Sequence, residues 1–85
     1  MKKGRKFYSK YFVIYFLPSE SLRVSPIVSK KISKKAVVRN KIKRRIRVLA
    51  KDEKGLFAII AKEDVSQINF KELIYDFKKA INKIN

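Results

Sequence analysis

The sequence predicts a small α+β fold, a two-layer sandwich with helices packed on a sheet. Runs rich in aromatic and β-branched residues, which favour strands, occur together with longer stretches whose apolar residues recur at helical spacing. The chain has 85 residues, which is room for one domain spanning 1–85, and a chain of that size buries only about 60% of its unfolded surface. We therefore expect no large enclosed substrate cavity. The predicted order is strand, strand, basic helix, strand, helix.

The first strand is predicted over residues 7–17, FYSKYFVIYFL, and a break near Ser9 would divide it in two. Alternation places Phe12, Ile14 and Phe16 on one face and Tyr11, Val13, Tyr15 and Leu17 on the other. Neither face is polar, which leaves two interpretations open. Either the sheet is covered on both sides, or tyrosines of one face form a platform on which unpaired bases stack, at about 1–3 kcal/mol per base.

A second strand is predicted over residues 22–31, after a turn at 18–21. Pro26 has no N–H to give to a neighbouring strand, so we expect an edge position or a bulge there. Ser29, Lys30 and Lys31 end this strand beside the start of a helix, where exposed N–H groups can also hold phosphate.

The pattern of residues 34–51 predicts an amphipathic helix. Ser33 and Ser29 are both possible N-caps, and we expect Ser33 because it is nearer to the helix start. At about 100° per residue, one stripe of this helix is apolar and contains Val38, Ile42, Ile46 and Leu49. The rest of its circumference carries Asn40, Lys41, Lys43, Arg44 and Arg47. The pattern therefore predicts a helix with a cationic outer surface.

The last third of the chain predicts a turn, a strand and a helix. Gly55 is the expected left-handed residue of the turn at 52–55, and residues 56–61 are apolar without alternation, as in a strand buried on both faces in a parallel or central position. Asn69 is the expected cap of the last helix, with Glu72 as its capping-box partner. The apolar stripe expected to cover the sheet contains Phe70, Leu73, Ile74, Phe77, Ile81 and Ile84.

The charge of the chain is concentrated in its first part. The net charge is +16, and residues 1–51 hold 17 basic side chains against one acidic, whereas residues 52–85 hold six of each. Residues 21–51 contain no carboxylate, and Arg39, Lys43 and Arg47 repeat at a spacing of four, where like charges destabilise a helix. An ordinary solvated helix surface normally mixes signs. The stretch therefore predicts an external polyanion as partner.

The sequence lacks features that membrane proteins, secreted proteins, zinc proteins and most hydrolytic enzymes require. The longest apolar runs, 11–17 and 56–61, are far shorter than the roughly 20 residues of a membrane span, and no signal peptide is recognisable, so we expect a cytoplasmic protein. Cysteine and histidine are absent, which removes the usual zinc ligands and the usual neutral-pH base. The adjacent pairs 52–53 and 63–64 could bind magnesium, but we expect solvated turn residues there. We assign no catalytic residue and no metal ligand.

One ordered string carries a resemblance to a known family. Residues 28–47, VSKKISKKAVVRNKIKRRIR, closely resemble the signature of the bacterial ribonuclease P protein subunit, which reads roughly VSKK, a short linker, then RNxxKRxxR. Its five fixed polar places are filled by Arg39, Asn40, Lys43, Arg44 and Arg47. The family normally carries a further helix and a basic tail before Gly4, so this chain resembles a short form, either natural or caused by a late start codon.

The resemblance implies a fold and a function. The fold is that of ribosomal protein S5 domain 2, a mixed sheet with a left-handed crossover of the basic helix between parallel strands. The function is to help a catalytic RNA, which carries the Mg²⁺ chemistry, remove the 5′ leader of precursor tRNA. Ribonuclease P RNA and precursor tRNA are thus the expected partners, with no membrane and no DNA. The protein itself is expected to hold no cofactor.

Site residues follow from the resemblance and from charge. Those expected to bind RNA are Lys30, Lys31, Lys34, Lys35, Arg39, Asn40, Lys41, Lys43, Arg44 and Arg47. Those expected near the leader are Tyr15, Tyr11 and Lys30, with Tyr15 favoured because it lies where the family has an aromatic residue of its single-strand cleft. A small structural RNA-binding protein, such as a ribosomal protein, is the alternative, since it explains charge and size but not the order of the motif.

Overall fold

A computed structural model of the chain describes residues 4–82. Its elements in chain order are β1 (Arg5–Tyr8), β2 (Phe12–Leu17), β3 (Leu22–Ile27), α1 (Ala36–Ala50), β4 (Gly55–Ala61) and α2 (Phe70–Ile81). The predicted order is confirmed, and the first predicted strand is divided at residues 9–11. The second strand is shorter than predicted, because the chain turns after Val28 and the Ile32 N–H donates to the Ser29 carbonyl at 3.0 Å.

The four strands form one mixed sheet in the order β1-β2-β4-β3. β2 is antiparallel to β1 and to β4, whereas β3 is parallel to β4, so α1 forms the crossover between the parallel pair. The central position predicted for β4 is confirmed. Pro26 lies in β3 at the edge of the sheet, where its missing N–H costs no hydrogen bond to a further strand.

Both helices pack on one face of the sheet. The largest fully buried side chains come from β2, β4, α1, α2 and the loop before α2, and they are Phe12, Ile14, Ile42, Ile46, Ile59, Val65, Leu73 and Phe77. In β4 the residues facing the helices are buried, whereas the alternate residues Leu56, Ala58 and Ile60 are only partly buried. The predictions of a β4 buried on both faces and of a sheet covered on both sides are therefore wrong for residues 4–82.

The two helix starts differ in how they are capped. Asn69 caps α2 as predicted, since its side-chain oxygen accepts from the Lys71 N–H at 2.8 Å. The prediction of Ser33 as the cap of α1 is wrong, because the N-cap is Lys35, without a side-chain hydrogen bond. The Ser33 hydroxyl instead accepts from the Lys35 N–H at 3.2 Å, which orders the residues leading into the helix.

Carboxylates of α2 hold the turn between β1 and β2. Asp76 accepts from the backbone N–H groups of Lys10 and Tyr11 at 3.0 and 3.1 Å, and Glu72 accepts from the Tyr11 hydroxyl at 3.2 Å. Tyr11 is consequently only 5% exposed, and the prediction that it shares a face with Tyr15 is wrong. The strand break at residues 9–11 resets the alternation on which that prediction depended.

Gly55 begins β4 at a place where only glycine fits. Its φ is +127°, as the predicted turn requires, and an added Cβ would collide with the ring of Phe16 and lie 3.2 Å from the Leu17 carbonyl oxygen. The Phe16 ring cannot withdraw freely, because it packs on Phe57 with 5.1 Å between ring centroids.

We expect Gly55→Ala to lower the free energy of unfolding by about 2–3 kcal/mol, from the strained φ together with the displaced Phe16 ring. Urea unfolding followed by circular dichroism measures the change. Gly4→Ala is the matched control, because a Cβ at Gly4 would meet only the Phe16 carbonyl oxygen, at an ordinary 3.7 Å. Equal stability of the two variants would contradict this account of Gly55.

Candidate RNA-binding surfaces

The first candidate surface is the outward side of α1, which we call the basic face and define as Arg39, Asn40, Lys43, Arg44 and Arg47. Ile42 and Ile46 are completely buried against the sheet, so the helical period turns Asn40, Arg44 and Arg47 away from it and places Arg39 and Lys43 along its border. Asn40, Arg44 and Arg47 are exposed, while Arg39 and Lys43 are partly buried along their stems. With no carboxylate in residues 21–51, no neighbouring acid of α1 itself reduces the field of this face.

The start of α1 adds further cations. Lys34 and Lys35 immediately precede the helix and are exposed, and the first turn contains no acidic residue. The Arg39 guanidinium donates from Nη1 to the Ser33 carbonyl at 2.9 Å, which fixes its position near the helix start. This end of α1 therefore presents positive charge together with backbone N–H groups, an arrangement suited to phosphate.

Arg45 has a structural role and does not belong to the basic face. Its Nη1 donates to the carbonyls of Val65 and Ile68 at 3.1 and 2.6 Å, and its guanidinium lies 5.6 Å from the centroid of the Phe70 ring. It thus ties α1 to the loop that leads into α2. This agrees with the motif, whose fixed places do not include Arg45.

Lys41 lies on the flank of α1 next to the loop after β4. Hydrogen bonds from Ser66 hold the pKa of Asp64 below its usual value, and the charge of Lys41 lowers this pKa further by a smaller amount. The Asp64 carboxylate accepts from the Ser66 N–H at 2.8 Å. Lys41 therefore faces a neighbouring carboxylate, and among the RNA-binding residues predicted from the sequence it has the most acidic surroundings that the structure shows.

The second candidate surface, which we call the open face, is the side of the sheet that neither helix covers. Directly paired residues point to the same side of a sheet. Three rows cross the open face: Tyr8, Val13, Ile60 and Ile27; then Lys6, Tyr15, Ala58 and Ser25; then Leu17, Leu56 and Arg23. Tyr15 is 41% exposed and Tyr8 is 60% exposed, so both rings are accessible.

An open cavity of about 590 Å³ lies at one end of this sheet. Its lining includes Lys6, Tyr15, Leu17, Arg23 and Leu56, which combine an aromatic ring and apolar side chains with two cations. Aromatic and apolar groups bounded by positive charge suit single-stranded nucleic acid, whose bases stack while its phosphates meet the cations.

Lys30 and Lys31 lie beyond the opposite end of the sheet. They follow β3 after Ile27, which belongs to the row of Tyr8 and not to the cavity, and both are exposed in the turn before α1. The structure therefore brings Tyr15 together with Lys6 and Arg23. Lys30 lies farther from Tyr15, beyond the row that contains Tyr8 and Ile27 and at the end of the sheet opposite to the cavity. The role predicted for Lys30 near the leader stays a prediction.

Sequence reasoning missed three residues of the open face: Lys6, Tyr8 and Arg23. Lys6 precedes the first predicted strand, which begins at residue 7, but it pairs with Tyr15 in the β1–β2 ladder. Tyr8 lies opposite Val13 in the same ladder, on the open face. A hairpin turn at Ser9 was the signal that could have found both, because it fixes which residues of the two strands are opposite.

Within residues 4–82, no group of three or more His, Cys, Asp or Glu side chains is placed to hold a metal ion. No helix in that range is long and apolar enough to cross a membrane.

Comparison with known proteins agrees with the motif and the fold. The ribonuclease P family model matches residues 1–85. The ribonuclease P protein component of Thermus thermophilus is 36% identical, over 98% of this chain and 52% of the relative, and that of Rickettsia prowazekii is 41% identical, over 94% of this chain and 81% of the relative. The chain thus spans about half the length of the Thermus relatives it matches.

The solved structures that resemble this chain are also RNase P proteins. The RNase P protein of Staphylococcus aureus is similar with a TM-score of 0.78 at 25% identity, covering 98% of this chain and 83% of the other. The RNase P protein from Thermotoga maritima shares the fold with a TM-score of 0.81 at 23% identity, covering 98% of this chain and 86% of the other. The motif, the matched length and the fold together lead to one conclusion: the chain belongs to the ribonuclease P protein family.

Proposed function

We propose that this chain is the protein subunit of a ribonuclease P in which a catalytic RNA removes the 5′ leader from precursor tRNA in the cytoplasm. The basic face binds the catalytic RNA, and the open face binds the leader. The observation that carries this proposal is the basic face, whose five polar residues fill the family motif and lie outside the stripe that is buried at Ile42 and Ile46.

The contribution of the protein is electrostatic positioning and not bond cleavage. Catalytic RNA and precursor tRNA are both polyanions, and cations between them lower their mutual repulsion. The Mg²⁺ ions of the assembled particle belong to the RNA in this proposal, and no step runs through a metal held by the protein. A ribosomal protein would have similar charge and size, but that alternative does not account for the family match.

The first expectation concerns activity. Purified protein alone should leave precursor tRNA uncut, because neither surface presents a base, a nucleophile and an orienting partner together. Added bacterial ribonuclease P RNA should give cleavage at a lower Mg²⁺ concentration than the RNA alone requires. Gel analysis of end-labelled precursor over a Mg²⁺ series measures both. Cleavage at the mature 5′ end by RNA-free protein would overturn the proposed mechanism.

The second expectation concerns salt. About six phosphate contacts, from the four cations of the basic face together with Lys34 and Lys35, give a log–log slope of affinity against salt near −4 to −5. Binding titrations of the catalytic RNA between about 50 and 200 mM salt measure this slope. A slope near zero would remove the electrostatic basis of the proposal.

The third expectation separates the two surfaces. Replacing Lys43, Arg44 and Arg47 together with alanine should weaken assembly with the catalytic RNA at least about 100-fold, since each lost contact to a charged phosphate costs about 1 kcal/mol or more. Arg39 is left in place because its guanidinium also bonds the Ser33 carbonyl. Tyr15→Ala should leave assembly intact and should reduce the preference for precursor over mature tRNA about tenfold, the scale of one stacked base.

Two matched controls accompany these variants. Replacing the exposed Lys54, Lys71 and Lys78 with alanine removes the same charge outside the basic face and should weaken assembly far less. Tyr75→Ala removes a tyrosine that is 70% exposed on α2, and it should not change the preference for precursor tRNA. If Tyr15→Ala abolished assembly, or the triple variant erased only the leader preference, the two surfaces would be assigned the wrong way round.

A further inference from the structure

We propose that Lys6, Tyr8 and Tyr15 form a binding site for a single phosphodiester group of the leader strand, in which the two tyrosine hydroxyls and the lysine ammonium act together as donors. The inference rests on the proposed function, because it concerns the strand bound on the open face. It adds a polar role for two tyrosines whose rings would otherwise be considered only for stacking.

The register of the first hairpin brings the three side chains together. Lys6 lies directly opposite Tyr15, and Tyr8 lies opposite Val13, so Tyr8 and Tyr15 are diagonal neighbours on the open face. The Lys6 Nζ is 5.2 Å from the centroid of the Tyr8 ring and 5.2 Å from that of the Tyr15 ring. The ammonium therefore lies between the two rings.

Hydrogen bonding within this group leaves donors for a ligand. The Tyr8 hydroxyl, followed by the Tyr15 hydroxyl, raises the pKa of Lys6 by hydrogen bonding to its ammonium, so Lys6 is charged at neutral pH. Each tyrosine hydroxyl carries an O–H proton that it can donate, and the ammonium carries three N–H protons. The cluster thus offers O–H and N–H donors around the Lys6 Nζ, with no acidic side chain among its three members.

The chemistry of these donors matches a phosphodiester. Such a group carries one negative charge on two non-bridging oxygens, which only accept hydrogen bonds, and charge-assisted hydrogen bonds are the stronger ones. The surroundings favour an RNA strand as the source of the phosphate. Val13, Ala58 and Leu17 lie beside the cluster on the open face, and the cavity next to it has room for a base or a ribose. A free anion would make no use of these apolar neighbours.

The test places a neutral linkage in the leader, one position at a time. Precursor tRNAs with a single methylphosphonate at successive leader positions are titrated against ribonuclease P assembled with the unchanged protein or with Lys6→Met. At one position the neutral linkage should weaken binding by the unchanged protein about tenfold, the scale of a charge-assisted contact. With Lys6→Met the same linkage should have a much smaller effect, because only the two hydroxyls then contact the phosphate, and the salt slope for the precursor should fall by about 0.7, the value for one single-strand phosphate.

Substitutions of the tyrosines distinguish the hydroxyl from the ring. Tyr8→Phe and Tyr15→Phe keep the aromatic rings and remove one donor each, so each should weaken binding severalfold, and only for leaders that carry the native phosphate at the identified position. Lys78→Met is the matched control, because Lys78 is an exposed lysine of α2, in the helical layer on the other side of the sheet from the cluster. Thermal unfolding and assembly with the catalytic RNA should be unchanged in all four variants.

The outcomes separate this inference from the function on which it rests. If the unchanged protein prefers precursor tRNA but no leader position couples to Lys6, the phosphate site is overturned and leader binding is retained. If the neutral linkage weakens both proteins equally at every position, the site is likewise overturned. If the unchanged protein shows no preference for precursor over mature tRNA, the leader-binding part of the proposed function fails first.

Discussion

The contact between the apolar stripe of α1 and the sheet is the interaction on which the rest of the structure depends. Ile42 and Ile46 are completely buried there, and the 3.6-residue period then sets the direction of every charged side chain on the helix. Rotating α1 by even one residue, about 100°, would move cations towards the apolar core, where an unpaired charge costs several kcal/mol. The repulsion within the basic face is weak by comparison, a few tenths of a kcal/mol per pair. The core therefore holds the charges in an arrangement that a bound polyanion would stabilise.

Packing both helices on one face leaves the other face of the sheet free, and this gives the molecule two different surfaces. The basic face presents mainly charge, whose effect falls with salt, whereas the open face combines aromatic rings with a small number of cations. Because α1 and the open face lie on different layers of the sandwich, a change to one surface need not disturb the other. This separation makes the assembly and leader-binding roles distinguishable by experiment.

The arrangement of the open face depends on restraints that lie outside it. Asp76 of α2 accepts two backbone N–H groups of the β1–β2 turn, which fixes the register that places Lys6 opposite Tyr15. At the other end of the sheet, Gly55 allows β4 to start directly beneath the Phe16 ring, so that Leu56 pairs with Leu17. Neither restraint touches the expected ligand, but each sets the distance between groups that would contact it.

The sequence by itself determined the order of the elements and the cationic outer surface of α1, and it narrowed β4 to a parallel or central position and Pro26 to an edge or a bulge, because these follow from periodicity and backbone chemistry that are local to the chain. Only the tertiary structure decided which aromatic residues reach the surface. Tyr11 and Tyr15 look alike in the alternating pattern, yet two carboxylates of α2, more than 60 residues away, draw Tyr11 into the core while Tyr15 stays exposed. The grouping of Lys6, Tyr8 and Tyr15 likewise required the hairpin register, since residues far apart along the chain become neighbours only when strands pair.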